Sequence, residues 1–483
     1  MSKKRVFLDC YASYGLRDNP FMVQALKADE MGQRLMIGRD KQIQMVAQRM
    51  HKHGKITCLD GHVGVGKTSL VNVATYECFH AFLQGDTPQL LVPLHESFQL
   101  KKDEDVGAFC SSVFRVVAQA LLSQREALSA YTLSGPNAQH VDAWLNSPVV
   151  THITAAGGIS TTIGILGVAS VSTKGDVGTN NQLNTSTGFS EQGFEQLIRT
   201  WLNEIFSVQG NGGVVCVIDN LELLESGVAA RRTLEALRDK LFNVNGLRWV
   251  FCGANGVLHS LAASPRLGAF LNTPIVEVQN IAPADIEHLL RARLKEFSDD
   301  ANAAEEALPI RMADLKHLYS IVNFNLRDLL NCADSYCEHQ FSVGALSATE
   351  EQKQARFEKW LEKNTTDSYN TLSSRISSDA WAVLDIAMSD TFQGNFGVGD
   401  YGSFNSNSKI KITEGTFVKW LRDLVKLGLL SKSIDDDTSG SDDGFKRDVF
   451  SVTAKGAMVH YARMSKNETH SLLSVNWLRR VHH

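Results

Sequence analysis

The chain has 483 residues, of which 43% are apolar and 21% charged, and a formal net charge of −5. This length and composition predict about two to four globular domains. The small negative charge excludes a general basic field for nucleic acid, although a local basic patch remains compatible with it. Because the chain contains neither a long apolar run nor a secretory signal, we expect no transmembrane segment and a cytoplasmic location. The eight cysteines are expected to be reduced residues of the core.

The most informative stretch is 55–70, where an apolar strand is followed by a glycine-rich loop and a helix. The loop matches the pattern G-x-x-x-x-G-K-[ST] at Gly61, Gly66, Lys67 and Thr68. Glycines allow the backbone to approach phosphate closely, and successive N–H groups at a helix N-terminus bind its oxygens. In this pattern Lys67 reaches the β- and γ-phosphates and Thr68 ligates Mg²⁺. The predicted nucleotide-binding residues of the loop are Gly61, His62, Val63, Gly64, Val65, Gly66, Lys67, Thr68 and Ser69.

Strands and helices alternate along the chain after this loop. Strands are predicted over 89–95, 213–218, 247–252 and 274–278, and helices over 104–128, 190–207 and 228–241. Segment 213–218 is β-branched without a polar break, which is typical of a strand buried on both faces. The alternation predicts an α/β core over 51–282, with a doubly wound parallel sheet that carries the P-loop. Residues 1–50 form an N-terminal segment that precedes this core.

Residues 150–190 interrupt this alternation. They are rich in Gly, Ala, Thr, Ser and Asn, which predicts a β-hairpin or a flexible insertion. One interpretation is a surface hairpin or an interface element, and the other is a pore-facing or membrane-touching loop. The absence of aromatic and charged residues from 153–172 favours the first, because an interfacial membrane anchor needs both.

The remainder of the chain predicts a lid, a linker and a second domain. Helices predicted over 285–297, 312–322 and 325–337 form a helical lid over 283–345, and 346–376 is predicted to be a linker. From 377 to 483, a helix, a Gly/Asn/Ser loop at 393–408, a second helix over 413–427, two strands and a last helix follow in turn. This order predicts a C-terminal winged-helix-like domain.

Several polar residues follow the predicted strands of the core. Asp219 ends segment 213–218 and is the candidate that would hold Mg²⁺ together with Thr68. The next residue is Asn220 where a catalytic glutamate is common, so we expect hydrolysis to be slow. Glu222 either orients the attacking water or lies on a solvated turn. Asn255, after the next strand, is a candidate to hydrogen bond to the γ-phosphate or to the water.

Two arginines are candidates for stabilising charge on the phosphates. Arg266 precedes the last core strand, where it either reaches a neighbouring subunit's γ-phosphate or forms a surface salt bridge. Arg327 opens the third lid helix, where it either closes over the phosphates of its own subunit or has only a structural role.

The order of the segments GHVGVGKTSL, CVIDN, CGAN and NLRDLL resembles that of AAA+ ATPases. Within them the chain is most similar to the initiator clade, of the origin-recognition type, and to STAND-type signalling ATPases. Residues 36–40 are similar to the "GRxxE" segment that lies near the adenine. Residues 14–21 are similar to the "FGLxxxPF" start of secretion- and transposition-associated relatives. The resemblance covers about residues 14–340.

This resemblance implies a role for each candidate residue. Lys67 and Thr68 would be Walker A residues, Asp219 the Walker B carboxylate, Asn255 sensor 1, Arg266 the arginine finger and Arg327 sensor 2. It also implies that the P-loop strand is central in the sheet, that ATP and Mg²⁺ are bound, and that the chain forms a homo-oligomer with ATP sites between subunits.

The C-terminal domain leaves two functions open. Helix 413–427 offers Lys419, Arg422 and Lys426 to DNA, but five aspartates lie within 435–443 and would repel phosphates. We therefore expect an ATP-controlled switch that acts on a protein partner, of a design that suits a bacterial antiviral defence system. The alternative is a DNA-binding AAA+ ATPase of the replication-initiator or transposition-regulator type.

Overall fold

The structure is a computed structural model. It describes residues 9–101, 105–128, 139, 141–142, 152–154, 178–180, 191–208, 212–223, 227–254, 257–262, 264–345, 348–389, 391–392, 394–407, 413–435 and 447–468. Of the segments discussed above, most of the insertion 150–190, most of the aspartate-rich stretch 435–443 and Asn255 lie outside the described residues.

A parallel sheet forms the centre of the core domain. Its strands are β1 (Ile56–Asp60), β2 (Leu91–Pro93), β3 (Phe98–Gln99), β6 (Gly213–Asp219), β7 (Leu247–Gly253) and β8 (Leu271–Glu277). Their order is β2-β6-β7-β1-β8, with β3 also paired to β6, and every described pairing is parallel. The P-loop strand β1 therefore lies inside the sheet, between β7 and β8, as the resemblance implied.

Helices cover both faces of this sheet. Along β6, Val214, Cys216 and Ile218 belong to one core cluster, whereas Val215 and Val217 belong to the other. The first cluster is covered by helices Val106–Ser123, Glu191–Val208 and Gly227–Leu237, and the second by Asp40–Met50 and Lys67–Gln84. Successive residues of a strand point to opposite faces, so an unbroken apolar strand needs two layers of helices. The doubly wound α/β prediction is confirmed.

Helix Val106–Ser123 is, among the described residues, the single helix long and apolar enough to cross a membrane, by length and composition alone. Its side chains Phe109, Val113, Phe114 and Val117 are buried in the first core cluster. Its apolar character is therefore accounted for by packing against the sheet.

The structure describes two short segments of the predicted hairpin, 152–154 and 178–180. Strands β4 (His152–Thr154) and β5 (Gly178–Asn180) pair with each other in an antiparallel arrangement. This pairing agrees with the hairpin interpretation at the two ends of the insertion.

The lid is a helical unit with its own core. Its helices are Ile286–Phe297, Ala301–Ala307, Met312–Ile321, Leu326–Ser342 and Glu350–Ser373. The last of these occupies the segment predicted as a linker, and its Phe357 and Leu361 are buried in the lid cluster. The N-terminal segment packs here as well, because Tyr14 and Phe21 are buried in the same cluster.

The C-terminal domain combines helices with a small antiparallel sheet, and a winged helix stays a prediction for it. Helices Ser378–Ala387, Glu414–Lys426 and Ala454–Glu468 surround this sheet. Its strands are β9 (Asn395–Gly397), β10 (Leu430–Asp435) and β11 (Arg447–Val452), in the order β10-β11-β9.

The prediction of a loop over 393–408 is wrong, because this segment contains β9 and a short helix, Tyr401–Asn407. Its order comes from aromatic packing. The Phe404 ring lies 4.8 Å from that of Phe396 and 4.9 Å from that of Phe417, measured between centroids.

Candidate nucleotide-binding site

The P-loop leaves the carboxyl end of β1 and enters helix Lys67–Gln84. Gly61, Gly64 and Gly66 have φ angles of 157°, 88° and 94°, a range that side chains of L-residues rarely adopt. A Cβ on Gly61 would lie 2.4 Å from the Val278 carbonyl oxygen, and one on Gly64 would lie 2.9 Å from Arg327 Cβ. Glycine is therefore required at these positions by backbone geometry and by close neighbours.

Lys67 is the first residue of the P-loop helix and is only 6% exposed. Its Nζ donates to the carbonyl oxygens of Gly61 at 2.8 Å and His62 at 3.1 Å. The ammonium group is thus held inside the curve of the loop, where a phosphate oxygen would replace these carbonyls. The same charge, after burial, contributes to holding the pKa of the His62 imidazole below its usual value.

Thr68 and Asp219 join the P-loop to the neighbouring sheet strand. The Thr68 hydroxyl donates to Asp219 Oδ2 at 2.5 Å, and Asp219 is the last residue of β6. The Asn220 N–H donates to Asp219 Oδ1 at 2.8 Å, with Asn220 in the left-handed region at φ 57°. A hydroxyl and a carboxylate are oxygen ligands of the kind that Mg²⁺ prefers. The donor set therefore fits this ion.

A cavity of about 90 Å³ lies directly over these groups. The predicted residues that line it are Val63, Gly64, Gly66, Lys67, Thr68, Ser69, Asp219 and Arg327. Residues 23–25 and the lid complete its walls. Pockets for small ligands usually measure about 300–1,000 Å³, so this one fits the phosphate end alone.

The lid contacts the P-loop through the start of helix Leu326–Ser342. Asn325 caps helix Leu326–Ser342, and its Nδ2 donates to the Val63 carbonyl oxygen at 2.9 Å. Arg327 is exposed and lies two residues further on, against Gly64. The structure thus brings the predicted sensor 2 arginine to the phosphate cavity of its own subunit.

Glu222 does not line the phosphate cavity. Its Oε2 accepts a hydrogen bond from the Ala254 N–H at 3.0 Å, which ties it to the end of β7. Burial raises the pKa of the Cys252 thiol well above its usual value, and the negative charge of Asp219 adds to this effect. The charge of Glu222 raises the same pKa further, although it contributes less. Asn255 follows directly but lies outside the described residues.

Arg266 lies away from the phosphate cavity of its own chain. It is exposed, on the turn before β8, where its N–H donates to Ser264 Oγ at 3.3 Å. Because β1 and β8 are parallel, this turn is at the amino end of the strands, opposite to the P-loop. Arg266 therefore does not line the phosphate cavity of its own chain, and its role as an arginine finger stays a prediction.

Two buried arginines near the site were not predicted as site residues. Arg39 is 3% exposed, and its Nη2 donates to the Val65 carbonyl oxygen of the P-loop at 2.8 Å. Burial lowers its pKa to about 10, which still leaves it charged at neutral pH. The sequence did place Arg39 in the segment similar to "GRxxE", but gave no sign of this contact.

Arg293 lines the phosphate cavity from the lid. Its Nη1 donates to the carbonyl oxygens of Pro20 at 2.9 Å and Met22 at 3.0 Å, and burial lowers its pKa to about 10. One signal could have found it: the arginine occupies a core-facing position between Leu290 and Phe297 on an amphipathic helix. A charged residue at such a position is rarely buried without a partner.

A second, larger cleft of about 1,390 Å³ lies on the other side of the P-loop. His62 and Val63 line it together with the turn 322–325, and the C-terminal domain closes its far side through residues 451–454. Within it, Asn323 Nδ2 donates to the Val452 carbonyl oxygen at 3.5 Å. The turn that carries Asn325 thus lies between the P-loop and the C-terminal domain.

The strand order, the P-loop and the helical lid together define the fold as that of an AAA+ P-loop ATPase. A scan against protein-family models finds no match, and a search of curated proteins finds none either. Similar solved structures do exist, and ORC and Cdc6 proteins are among them.

The chain is 10% identical to the ADP form of the Aeropyrum pernix ORC2 protein, covering 94% of this chain and 98% of that one with a TM-score of 0.44. It is 14% identical to the A. pernix ORC1 protein in complex with DNA, with coverages of 91% and 95% and a TM-score of 0.39. It is 12% identical to Cdc6p from Pyrobaculum aerophilum, with coverages of 89% and 94% and a TM-score of 0.34. At these low identities and TM-scores the similarity indicates nothing about function. The function is therefore inferred from the residues of the site.

Proposed function

We propose that the chain binds ATP with Mg²⁺ and hydrolyses it slowly as an oligomeric AAA+ ATPase. One observation carries this proposal: the hydroxyl of Thr68 and the carboxylate of Asp219 are in contact directly beside Lys67. These are the groups that bind phosphate and metal in P-loop ATPases, and here two separate segments of sequence, the P-loop and the end of β6, bring them together.

The residues of the site have distinct roles in this proposal. The N–H groups of the P-loop and Lys67 bind the β- and γ-phosphates, and Thr68 and Asp219 hold the metal, which neutralises phosphate charge. When nucleotide binds, Lys67 exchanges its two carbonyl partners for phosphate oxygens. Each of these hydrogen bonds has a charged donor and contributes about 1.5–3 kcal/mol, and the new bonds to charged phosphate oxygens replace the two that are lost.

Slow turnover follows from how the carboxylates are placed. The position after Asp219 is Asn220, which has no carboxylate to accept a proton from water. Glu222 is the nearest alternative, but it is bound to the Ala254 N–H. We propose that Glu222 orients the attacking water only after this hydrogen bond is exchanged, which makes hydrolysis conditional on a rearrangement.

The exposed position of Arg266 supports an oligomer with shared sites. We propose that it acts as an arginine finger toward a second copy, and that Arg327 responds as sensor 2 within its own subunit. Nucleotide would then control assembly and the position of the C-terminal domain toward a protein partner. A place in bacterial antiviral defence is part of this proposal, and loss of phage protection on deletion of the gene is its test.

The alternative is a DNA-binding ATPase. Lys419, Arg422 and Lys426 lie on one helix of the winged-helix-like domain, and this observation favours it. A duplex-binding titration at several salt concentrations separates the two functions. Tight binding that weakens steeply with salt supports the DNA-binding function, and the absence of such binding supports the protein partner.

The ATPase proposal is tested by phosphate release from ATP by the purified full chain. We expect slow release that stops when EDTA removes Mg²⁺ and that is lost in Lys67→Ala. Lys52→Ala is the matched control, because Lys52 is exposed and lies outside the site. Equal rates for the wild type and Lys67→Ala would refute the assignment.

A further inference from the structure

Three metal-ligating side chains meet beside the first glycine of the P-loop, outside the phosphate cavity. Asp60 ends β1, Glu277 ends β8, and His259 lies on the short helix Val257–Ala262. Each offers one ligand atom, and these three atoms all lie within 4.8 Å of one another. His259 Nε2 lies 3.0 Å from Glu277 Oε1.

The sheet fixes this convergence. Asp60 and Glu277 are partners in the register of β1 and β8, and neighbouring residues in register point to the same face of a parallel sheet. Helix Val257–Ala262 packs against both strands and brings His259 to them. The three ligands thus come from three elements of regular structure, which limits how far they can separate.

The chemistry of the set selects the kind of ion. Imidazole with two carboxylates suits Zn²⁺ and similar first-row metals, whereas Mg²⁺ prefers oxygen alone. Ligands at about 2.1 Å from a tetrahedral Zn²⁺ lie about 3.4 Å from each other. His259 Nε2 and Glu277 Oε1 lie 3.0 Å apart, and all three ligand atoms lie within 4.8 Å of one another. Small side-chain shifts are therefore enough to bring the three atoms to this geometry.

The charges favour a dication as well. Asp60 is only 6% exposed, and a dication bound between Asp60 and Glu277 neutralises both carboxylates. The side chains of His259 and Glu277 are 42% and 56% exposed, so an ion has a path from solvent and room for a water as a fourth ligand.

We propose that Asp60, His259 and Glu277 bind a transition-metal dication, with Zn²⁺ the best match. The position gives the ion a structural effect on the P-loop. Asp60 precedes Gly61, whose carbonyl oxygen accepts from Lys67 at 2.8 Å. A metal bound to Asp60 holds the start of the loop, so it stabilises the fold whether or not nucleotide is present. This inference does not depend on the proposed ATPase function.

The test is a calorimetric titration of ZnCl₂ into the chelator-stripped full chain without nucleotide. We expect one high-affinity equivalent for the wild type and a rise in thermal unfolding temperature on binding. His259→Ala and Glu277→Gln should each weaken the affinity by at least about 100-fold, because even changes around the ligands of a metal cost 10–100-fold. Co²⁺ bound at the same site should show the visible absorption of a tetrahedral ion.

One control variant and one conservative ligand variant make the result decisive. His288→Ala removes an exposed histidine outside the cluster and should bind Zn²⁺ like the wild type. Glu277→Gln keeps the side-chain size and decides the matter if His259→Ala proves unstable. The inference is overturned if the wild type binds no Zn²⁺, or if both ligand variants bind it as tightly as the wild type. In that case His259 and Glu277 form an ordinary ion pair.

Discussion

Arg39 allows the orientation of the P-loop to be tested separately from its contacts with phosphate. Its guanidinium group donates to the Val65 carbonyl oxygen at 2.8 Å and to Gln42 Oε1 at 2.6 Å, yet Arg39 does not line the phosphate cavity. Arg39→Met keeps most of the aliphatic volume and removes both hydrogen bonds. It also leaves the Val65 carbonyl without this buried donor.

The magnitude follows from the burial of these groups. A hydrogen bond from a charged donor contributes about 1.5–3 kcal/mol, so the loss of both bonds should lower the free energy of unfolding of Arg39→Met by about 3–6 kcal/mol. Part of this loss falls on the loop conformation that binds phosphate. Since each 1.4 kcal/mol is tenfold in affinity, we expect ATP to bind about 10–100-fold more weakly.

The assay is a titration with a fluorescent ATP analogue, combined with a thermal melt that shows the variant to be folded. Lys41→Met is the control, because Lys41 is exposed on the same helix, Asp40–Met50, and its replacement should change neither quantity appreciably. If folded Arg39→Met binds the analogue as tightly as the wild type, Arg39 has no part in shaping the P-loop.

Three further variants test the other residues. Glu222→Gln can still accept from a backbone N–H but cannot take a proton, so we expect turnover to fall about 10²-fold with ATP affinity retained; unchanged turnover would remove Glu222 from catalysis. Arg266→Ala should lower turnover by about 10³-fold and regain activity when mixed with Lys67→Ala chains, and a failure to regain it would argue against sharing between subunits. Asn325→Ala loses the hydrogen bond to the Val63 carbonyl, so ADP should dissociate about fivefold faster, as expected for about 1 kcal/mol; an unaltered rate would show that this contact does not hold the lid.

The parallel sheet could be predicted because its strands carry their own signal. A segment such as 213–218 is apolar at every position, and only burial on both faces satisfies such a strand. The conformation of the P-loop was equally predictable, since glycine readily adopts the positive φ angles that Gly61, Gly64 and Gly66 have in the structure. These features are local in sequence, so they can be read without knowing which segments meet in space.

The features that the sequence did not reveal depend on contacts between distant segments. Arg39 meets Val65, and Arg293 meets Pro20 and Met22, and no pattern within either segment indicates the partner. The segment 393–408 looks like a loop by composition, but it is ordered by the ring contacts of Phe404, which join residues far apart in the chain.

The polar segment 346–376 shows the same difficulty in a helix. Most of its residues face solvent, which predicts a linker. Phe357 and Leu361, spaced one helical turn apart, are buried in the lid cluster as part of helix Glu350–Ser373, and Trp360 packs against the same cluster. So few apolar residues among polar ones give too weak a periodicity to be distinguished from chance.

The most direct test of the central claim is the heat of binding of MgATP to the wild-type chain and to Lys67→Ala. We predict a single site per chain for the wild type, and at least a 100-fold loss of affinity when Lys67 no longer reaches the phosphates. No heat with the wild type, or the same affinity in both proteins, would contradict the claim that Lys67, Thr68 and Asp219 form the nucleotide site.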